Sequence, residues 1–218
     1  MEELKYLTPE QDDIINRFIR ENYLRDNFYF TGGTALSSCY LQHRYSDDLD
    51  FFTSGTFNNL AVLEIIQKWA DSLNIKMDSQ NIGELYIFTL NYNNSYSLRL
   101  DFNRYIYKPL FDPHIVSNLK IDNKKDIATN KLAVISERAE IKDFVDLYFL
   151  LKEFSIFDLL EWSNKKFRRD YDPLLLSSDF LKVEDFDYLP RMIKKVELEE
   201  VRTYFVDLAK KLGTESTD

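Results

Sequence analysis

The sequence predicts an α+β protein, with a mixed sheet and flanking helices in residues 1–110 and a helical part in residues 111–218. Three observations predict it. Up to Asn103, short runs with strand character alternate with helical patterns. From about Lys124 onward the apolar spacing is helical, and no strand signal is convincing after Asn103. A Gly-Gly pair at Gly32 and Gly33 punctuates the passage from an apolar strand to a helix.

The elements follow in order. Thr8-Pro9-Glu10-Gln11 opens the first helix: Thr8 suits the N-cap, Pro9 the first helical position, and Gln11 completes a capping box. Ile14, Ile15, Phe18 and Ile19 then repeat at helical spacing. Phe28 to Thr31 reads as a short buried strand, Thr34 to Leu41 as a helix, and Asp48 to Phe52 as a half-buried strand. Asn58 or Asn59 caps a helix running to about Leu73. Ile75 to Asp78, Leu85 to Tyr92 and Ser97 to Asn103 form a meander, with a tight turn at Asn93-Asn94. Helices are expected over Ile127 to Glu137, Ile141 to Phe154, Ile156 to Phe167 and Pro190 to Leu212.

Composition narrows the function. The 218 residues carry a net charge of −9, which argues against a generic nucleic-acid coat protein, since such a protein needs a basic surface. One local basic patch on an acidic enzyme remains compatible with it. The single cysteine, Cys39, cannot form an internal disulfide, so a secreted disulfide scaffold is excluded. No apolar run approaches the roughly 20 residues of a membrane span, and the N-terminus lacks the pattern of a signal peptide. The expectation is a soluble, cytoplasmic protein without membrane partners.

Three motifs carry chemistry. Gly32-Gly33-Thr34 lies between a strand and a helix, where glycines let a ligand approach the backbone and Thr34 adds a hydroxyl; a plain tight turn is the alternative. In Ser46-Asp47-Asp48-Leu49-Asp50, the period of 2 puts Asp48 and Asp50 on one face of a strand. Two adjacent carboxylates repel unless a cation lies between them, and a hard divalent ion, Mg²⁺ above all, is the natural partner. The alternative is a solvated acidic strand edge. Asp101 stands between Leu100 and Phe102 on an apolar strand, where a carboxylate is costly unless paired or metal-bound. It either completes a triad with Asp48 and Asp50 or forms an ion pair with Arg99 or Arg104.

Taken together, Gly-Gly-Thr, thirteen intervening residues, Asp-x-Asp and a later strand Asp resemble the nucleotidyltransferase superfamily typified by DNA polymerase beta. The wording of Gly32 to Leu36, then His43, Arg44, Ser46, Asp48, Leu49, Asp50 and Phe51, is similar to the AbiEii/AbiGii toxin family in particular. A Lys on a helix followed by Arg-Asp-x-x-Asp-Leu is the second family feature; here it is Lys131, then Lys142-Asp143-Phe144-Val145-Asp146-Leu147. Lys142 replaces the usual Arg, which keeps the charge but loses the planar fork. The resemblance implies a nucleotidyltransferase-type core in the first part and, in the second, a helical domain that completes the active site and binds the acceptor.

The resemblance also implies roles. Asp48, Asp50 and Asp101 would bind two Mg²⁺ ions, with Mn²⁺ an acceptable substitute. Gly32, Gly33, Thr34, Arg44, Ser46 and Lys131 would contact the nucleotide, and Asp143 would either accept a proton from the attacking hydroxyl or orient Lys131, Asp146 sharing its helix face. Arg44 could instead brace Asp48, and His43 is more readily a structural hydrogen bonder. Lys165, Lys166, Arg168 and Arg169 form the densest basic cluster; it would grip an RNA acceptor or be a solvated helix face. The function implied is a toxin that transfers a nucleoside monophosphate from an NTP to an acceptor such as the tRNA 3′ end, releasing pyrophosphate, with a cognate antitoxin as partner. Alternatives are transfer to a protein hydroxyl or to a small molecule such as an aminoglycoside, and a non-catalytic module binding nucleotide or antitoxin.

Overall fold

The computed structural model describes residues 4–93 and 95–215. They divide into two units, and a short segment of the first half of the chain belongs with the second. The sheet unit holds the described residues up to Tyr40 together with Ser46–Asn123. The helical unit holds Leu41–Tyr45 and the described residues from Lys124 onward.

The sheet unit opens with α1 (Pro9–Arg20), whose capping box of Thr8 and Gln11 is present as the sequence predicts. A short α2 (Asn22–Asn27) leads into β1 (Tyr29–Thr31). Then come α3 (Gly32–Ala35), a π-helical turn over Leu36–Leu41, β2 (Leu49–Thr53) and α4 (Asn59–Leu73) with Asn58 as its cap. The strands β3 (Lys76–Ile82), β4 (Leu85–Asn91) and β5 (Ser97–Arg104) form the expected meander. Of the turn between β4 and β5, Asn94 lies outside the described residues. Two strands were not expected, β6 (His114–Val116) and β7 (Leu119–Ile121). They extend the sheet unit past residue 110 to Asn123.

The seven strands run in the order β3-β4-β5-β2-β1-β7-β6. β2 and β5 are parallel, as are β1 and β7, and the other pairs are antiparallel, so the sheet is mixed. Alternation sorts the residues of the two central strands. Leu49, Phe51, Leu98, Leu100 and Phe102 are fully buried. Phe51 stacks on Phe18 of α1 at 4.2 Å and on Phe102 at 5.2 Å. Each such ring contributes roughly 1.5–3 kcal/mol of burial, which fixes the register of both strands. A one-residue slip would turn Phe51 and Phe102 outward and Asp50 and Asp101 inward.

The helical unit contains α5 (Lys124–Glu137), α6 (Ile141–Leu150), α7 (Ile156–Phe167), α8 (Pro173–Leu181), a 3₁₀ turn (Lys182–Asp185) and α9 (Leu198–Glu215). Its core gathers Leu132, Phe144, Leu159, Phe180 and Phe205, with Phe205 edge-on to Phe144 at 5.1 Å. The expected helix over Pro190 to Leu212 begins only at Leu198. The residues before it extend alongside the 41–45 segment instead: Arg44 bridges Met192, and the amides of Ile193 and Lys194 donate to the His43 carbonyl.

Candidate active site

Asp50 and Asp101 are direct register partners on the parallel strands β2 and β5. Paired residues on neighbouring strands project to the same side, on strands about 4.8 Å apart. Thr31 is the partner of Asp50 on β1, and Asp48 immediately precedes β2. The shared face expected for Asp50 and Asp101 therefore exists.

The turn after β1 is built around these carboxylates. Gly32 has φ +75°, a conformation that L side chains rarely adopt. A Cβ at this position would lie 2.0 Å from Oδ2 of Asp50. Glycine is thus required twice over, by its backbone and by the close approach of the Asp50 carboxylate. The π-helical turn that follows is a feature often found at functional sites. Gln11, fully buried, clamps the loop before β2 by donating to the carbonyls of Ser46 and Asp47 at 2.9 and 3.0 Å. Sequence reasoning gave Gln11 only its capping role.

Thr34 ties the Gly-Gly turn to the neighbouring loop. It is buried, and its hydroxyl donates to the Asp48 carbonyl. That bond holds the loop that presents Asp48.

Asp101 is ion-paired in this structure. Both its oxygens are taken by Arg99, Nε at 2.7 Å and Nη2 at 2.8 Å, which was the alternative partner read from the sequence. The guanidinium of Arg99 is pushed above its usual value, first by its hydrogen bond to Asp101. Burial opposes the shift, and the charges of Asp101, Asp48 and Asp50 add to it. All three carboxylates therefore act on one cation. Among the described residues no group of three His, Cys, Asp or Glu side chains forms a preassembled metal cage. The donors still suit a hard divalent ion: they are carboxylate oxygens alone, registered across two strands, with a glycine cradle behind one of them.

In the helical unit a second constellation assembles around Asp146 of α6. Arg44 donates Nε to Oδ1 at 2.6 Å and Nη2 to Oδ2 at 2.8 Å. His43 Nε2 lies 2.7 Å from Oδ1, and Lys131 Nζ 2.6 Å from Oδ2. Lys131 also donates to Asp143 at 2.7 Å, and Arg138 approaches the other Asp143 oxygen at 3.3 Å. Burial works to raise the Asp146 carboxyl, but Arg44, Lys131 and the His43 hydrogen bond hold it well below the usual carboxylate range. Burial likewise works to lower Lys131, and Asp146 and Asp143 overcome it and raise the ammonium. His43 goes the other way: burial lowers it, with Asp146 opposing only in part.

Arg44 is held within this cluster: its Nη1 donates to the Tyr45 carbonyl, and its Nε and Nη2 to Asp146. Lys131 and Asp143 lie together, and Lys131 uses two of its three donors on the two aspartates.

The basic cluster on α7 splits. Lys165 is exposed and pairs with Glu161 at 2.6 Å, while Arg168 and Arg169 are exposed beyond the end of the helix. Lys166 is not part of that surface: its side chain is 0% exposed and ion-paired with the equally buried Asp126 at 2.6 Å. The helical periodicity that puts Lys165 outside turns its neighbour inward. No described helix is long and apolar enough to cross a membrane.

Comparison with known proteins agrees with this architecture. An uncharacterized protein of Aquifex aeolicus (strain VF5) is 31% identical over 188 residues, spanning 84% of this chain and 85% of the relative. The crystal structure of JHP933 from Helicobacter pylori superposes with a TM-score of 0.58 at 20% identity, covering 97% of this chain and 95% of that one. MenT4, the nucleotidyltransferase toxin Rv2826c from Mycobacterium tuberculosis H37Rv, superposes with a TM-score of 0.50 at 18% identity, covering 94% and 85%. These two share the fold. The family described as "Nucleotidyl transferase AbiEii toxin, Type IV TA system" matches residues 13–215, nearly the whole chain, and the protein accordingly belongs to the AbiEii nucleotidyl transferase toxin family and is a nucleotidyltransferase.

Proposed function

We propose that this toxin transfers a nucleoside monophosphate from an NTP to an acceptor hydroxyl, with release of pyrophosphate, in a reaction that depends on Mg²⁺ or Mn²⁺. The observation that carries the reading is the registered pair Asp50 and Asp101 beside a glycine whose Cβ would strike Asp50. Asp48, Asp50 and Asp101 would hold the divalent ions, which supply neutralisation of the charge on the attacking and leaving oxygens. Gly32 and Gly33 would let the phosphates approach the backbone, with Ser46 in the neighbouring loop. The remaining N–H of Lys131 would take a phosphate oxygen, and Asp143 would orient that ammonium through their 2.7 Å contact. Exposed Lys165, Arg168 and Arg169 support an RNA acceptor, the tRNA 3′ end being the one the family resemblance favours. A cognate antitoxin would restrain the activity.

The test is incubation with each α-labelled NTP, with and without Mg²⁺ or Mn²⁺, in the presence of tRNA, total RNA or lysate protein. Metal-dependent labelling of RNA is expected. Labelling of protein instead would replace the acceptor, and no labelling with any NTP would overturn the reading.

A further inference from the structure

Arg99 and Asp101 stand two residues apart on β5, so they share one face of the sheet. Their contact is a planar fork on a carboxylate, with both Asp101 oxygens engaged. This is the same carboxylate that metal binding requires. We infer that Arg99 is a positioning residue that stands in for the divalent ion: in the metal-free protein its guanidinium neutralises Asp101, and metal loading proceeds by exchange of that ion pair. The inference rests on the metal-dependent reading above.

Three features of the pair support exchange over a fixed structural role. Asp101 lies at the margin of solvent, its side chain 12% exposed, and Arg99 is 43% exposed, so the guanidinium can leave on its long stem without being buried elsewhere. Partly exposed pairs are weakly held compared with sealed ones. Asp50, the register partner of Asp101 on β2, puts a second carboxylate on the same face, so the cation faces more than one anion. Finally, a dication beside Asp101 and a guanidinium in bidentate contact with it repel each other, so occupancy by one disfavours the other.

Competition has a sign that a structural pair lacks. Removing the guanidinium should tighten metal binding while making the metal-free carboxylates repel more. Mn²⁺ binding to the full chain without nucleotide, followed by the loss of the free-ion electron paramagnetic resonance signal, reads this directly. Arg99→Gln should bind Mn²⁺ roughly tenfold more tightly than wild type, a change at the lower end of what outer partners are worth in metal affinity. Its melting temperature in chelator should fall, and the gap between chelator and saturating Mn²⁺ should widen. Arg99→Lys keeps the charge without the fork, and should lie between the two; it also serves if the Gln variant does not fold. Asp50→Asn should abolish the binding, which assigns it to this site. Unchanged or weaker Mn²⁺ affinity in both Arg99 variants would overturn the inference while leaving the metal reading intact. A wild-type protein that takes no Mn²⁺ would overturn the metal reading itself.

Discussion

Asp101 in the sheet unit and Asp146 in the helical unit each receive a bidentate guanidinium, from Arg99 and Arg44 respectively. The bonds are alike in length, and burial makes the difference. Asp146 is 0% exposed and Arg44 4%, and Lys131 and His43 complete a sealed cluster. There each ion has lost its hydration, so removing one partner strands the others. Asp101 and its arginine keep contact with water, where a missing partner can be replaced by solvent or by a metal ion. The lesson is that an Arg–Asp fork does not declare its role by geometry. Exposure decides whether the pair is a fixed girder or an exchangeable ion site.

The largest expected effect tests the sealed cluster. Asp146→Asn leaves Arg44 and Lys131 buried without their shared anion, and should destabilise the protein by about 3–5 kcal/mol in denaturant unfolding. A loss below about 1 kcal/mol, the range of exposed pairs, would erase the contrast between the two units.

Gly32→Ala comes next. Backbone strain at φ +75° alone is worth about 1–3 kcal/mol for a non-glycine residue, and the Asp50 carboxylate must also shift. The variant should lose both stability and nucleotide transfer. Retention of full transfer would separate the glycine from the carboxylate site.

A smaller effect concerns acid. Burial lowers His43 below its ordinary value, so around pH 6.5 the unfolded chain binds more protons than the folded one. The stability contribution is therefore present above about pH 6.5 and is lost as pH falls through the folded value. Asp146, also lowered, acts in the same direction over a more acid range. Wild type should lose stability between pH 7 and pH 5, and His43→Gln should flatten that slope, read by denaturant titration at each pH. An unchanged slope would remove His43 from the cluster's titration.

The smallest effect on stability belongs to the exposed basic patch. Replacing Lys165, Arg168 and Arg169 together by Ala should change stability by no more than about 0.5 kcal/mol per site. If RNA is the acceptor, the salt slope of its binding should fall by about 0.7–0.9 for each phosphate that the variant no longer neutralises. Lys166→Ala should behave oppositely, with the stability loss of a broken buried ion pair. If the triple variant keeps the full salt slope, the acceptor lies elsewhere.

Much of the fold was legible because it is written locally. The capping box at Thr8 and Gln11 and the alternation around Asp50 and Asp101 need only a few neighbouring residues. The strands β6 and β7 escaped because three residues each are too few to establish a period. The stretch from Pro190 read as helix because its competing partner, the His43–Arg44 segment, lies nearly 150 residues away in sequence. Distance hid the Asp146 cluster in the same way, with Arg44 and Asp146 separated by 102 positions. At the sheet site, Arg99 was visible only as one of two outcomes for Asp101. A cation two residues from an acid on a strand looks the same whether it pairs permanently or yields to a metal.

Pyrophosphate release by wild type and Asp50→Asn reads whether the sheet carboxylates run metal-dependent nucleotidyl transfer. With NTP, acceptor RNA and Mg²⁺ or Mn²⁺, wild type should release pyrophosphate and chelator should stop it. Asp50→Asn should be slower by on the order of 10³-fold, several kcal/mol of lost charge stabilisation. Its melting temperature should hold or rise, because repulsion between carboxylates is relieved. Wild-type rates in the folded Asp50→Asn variant, or release that persists in chelator, would contradict the account.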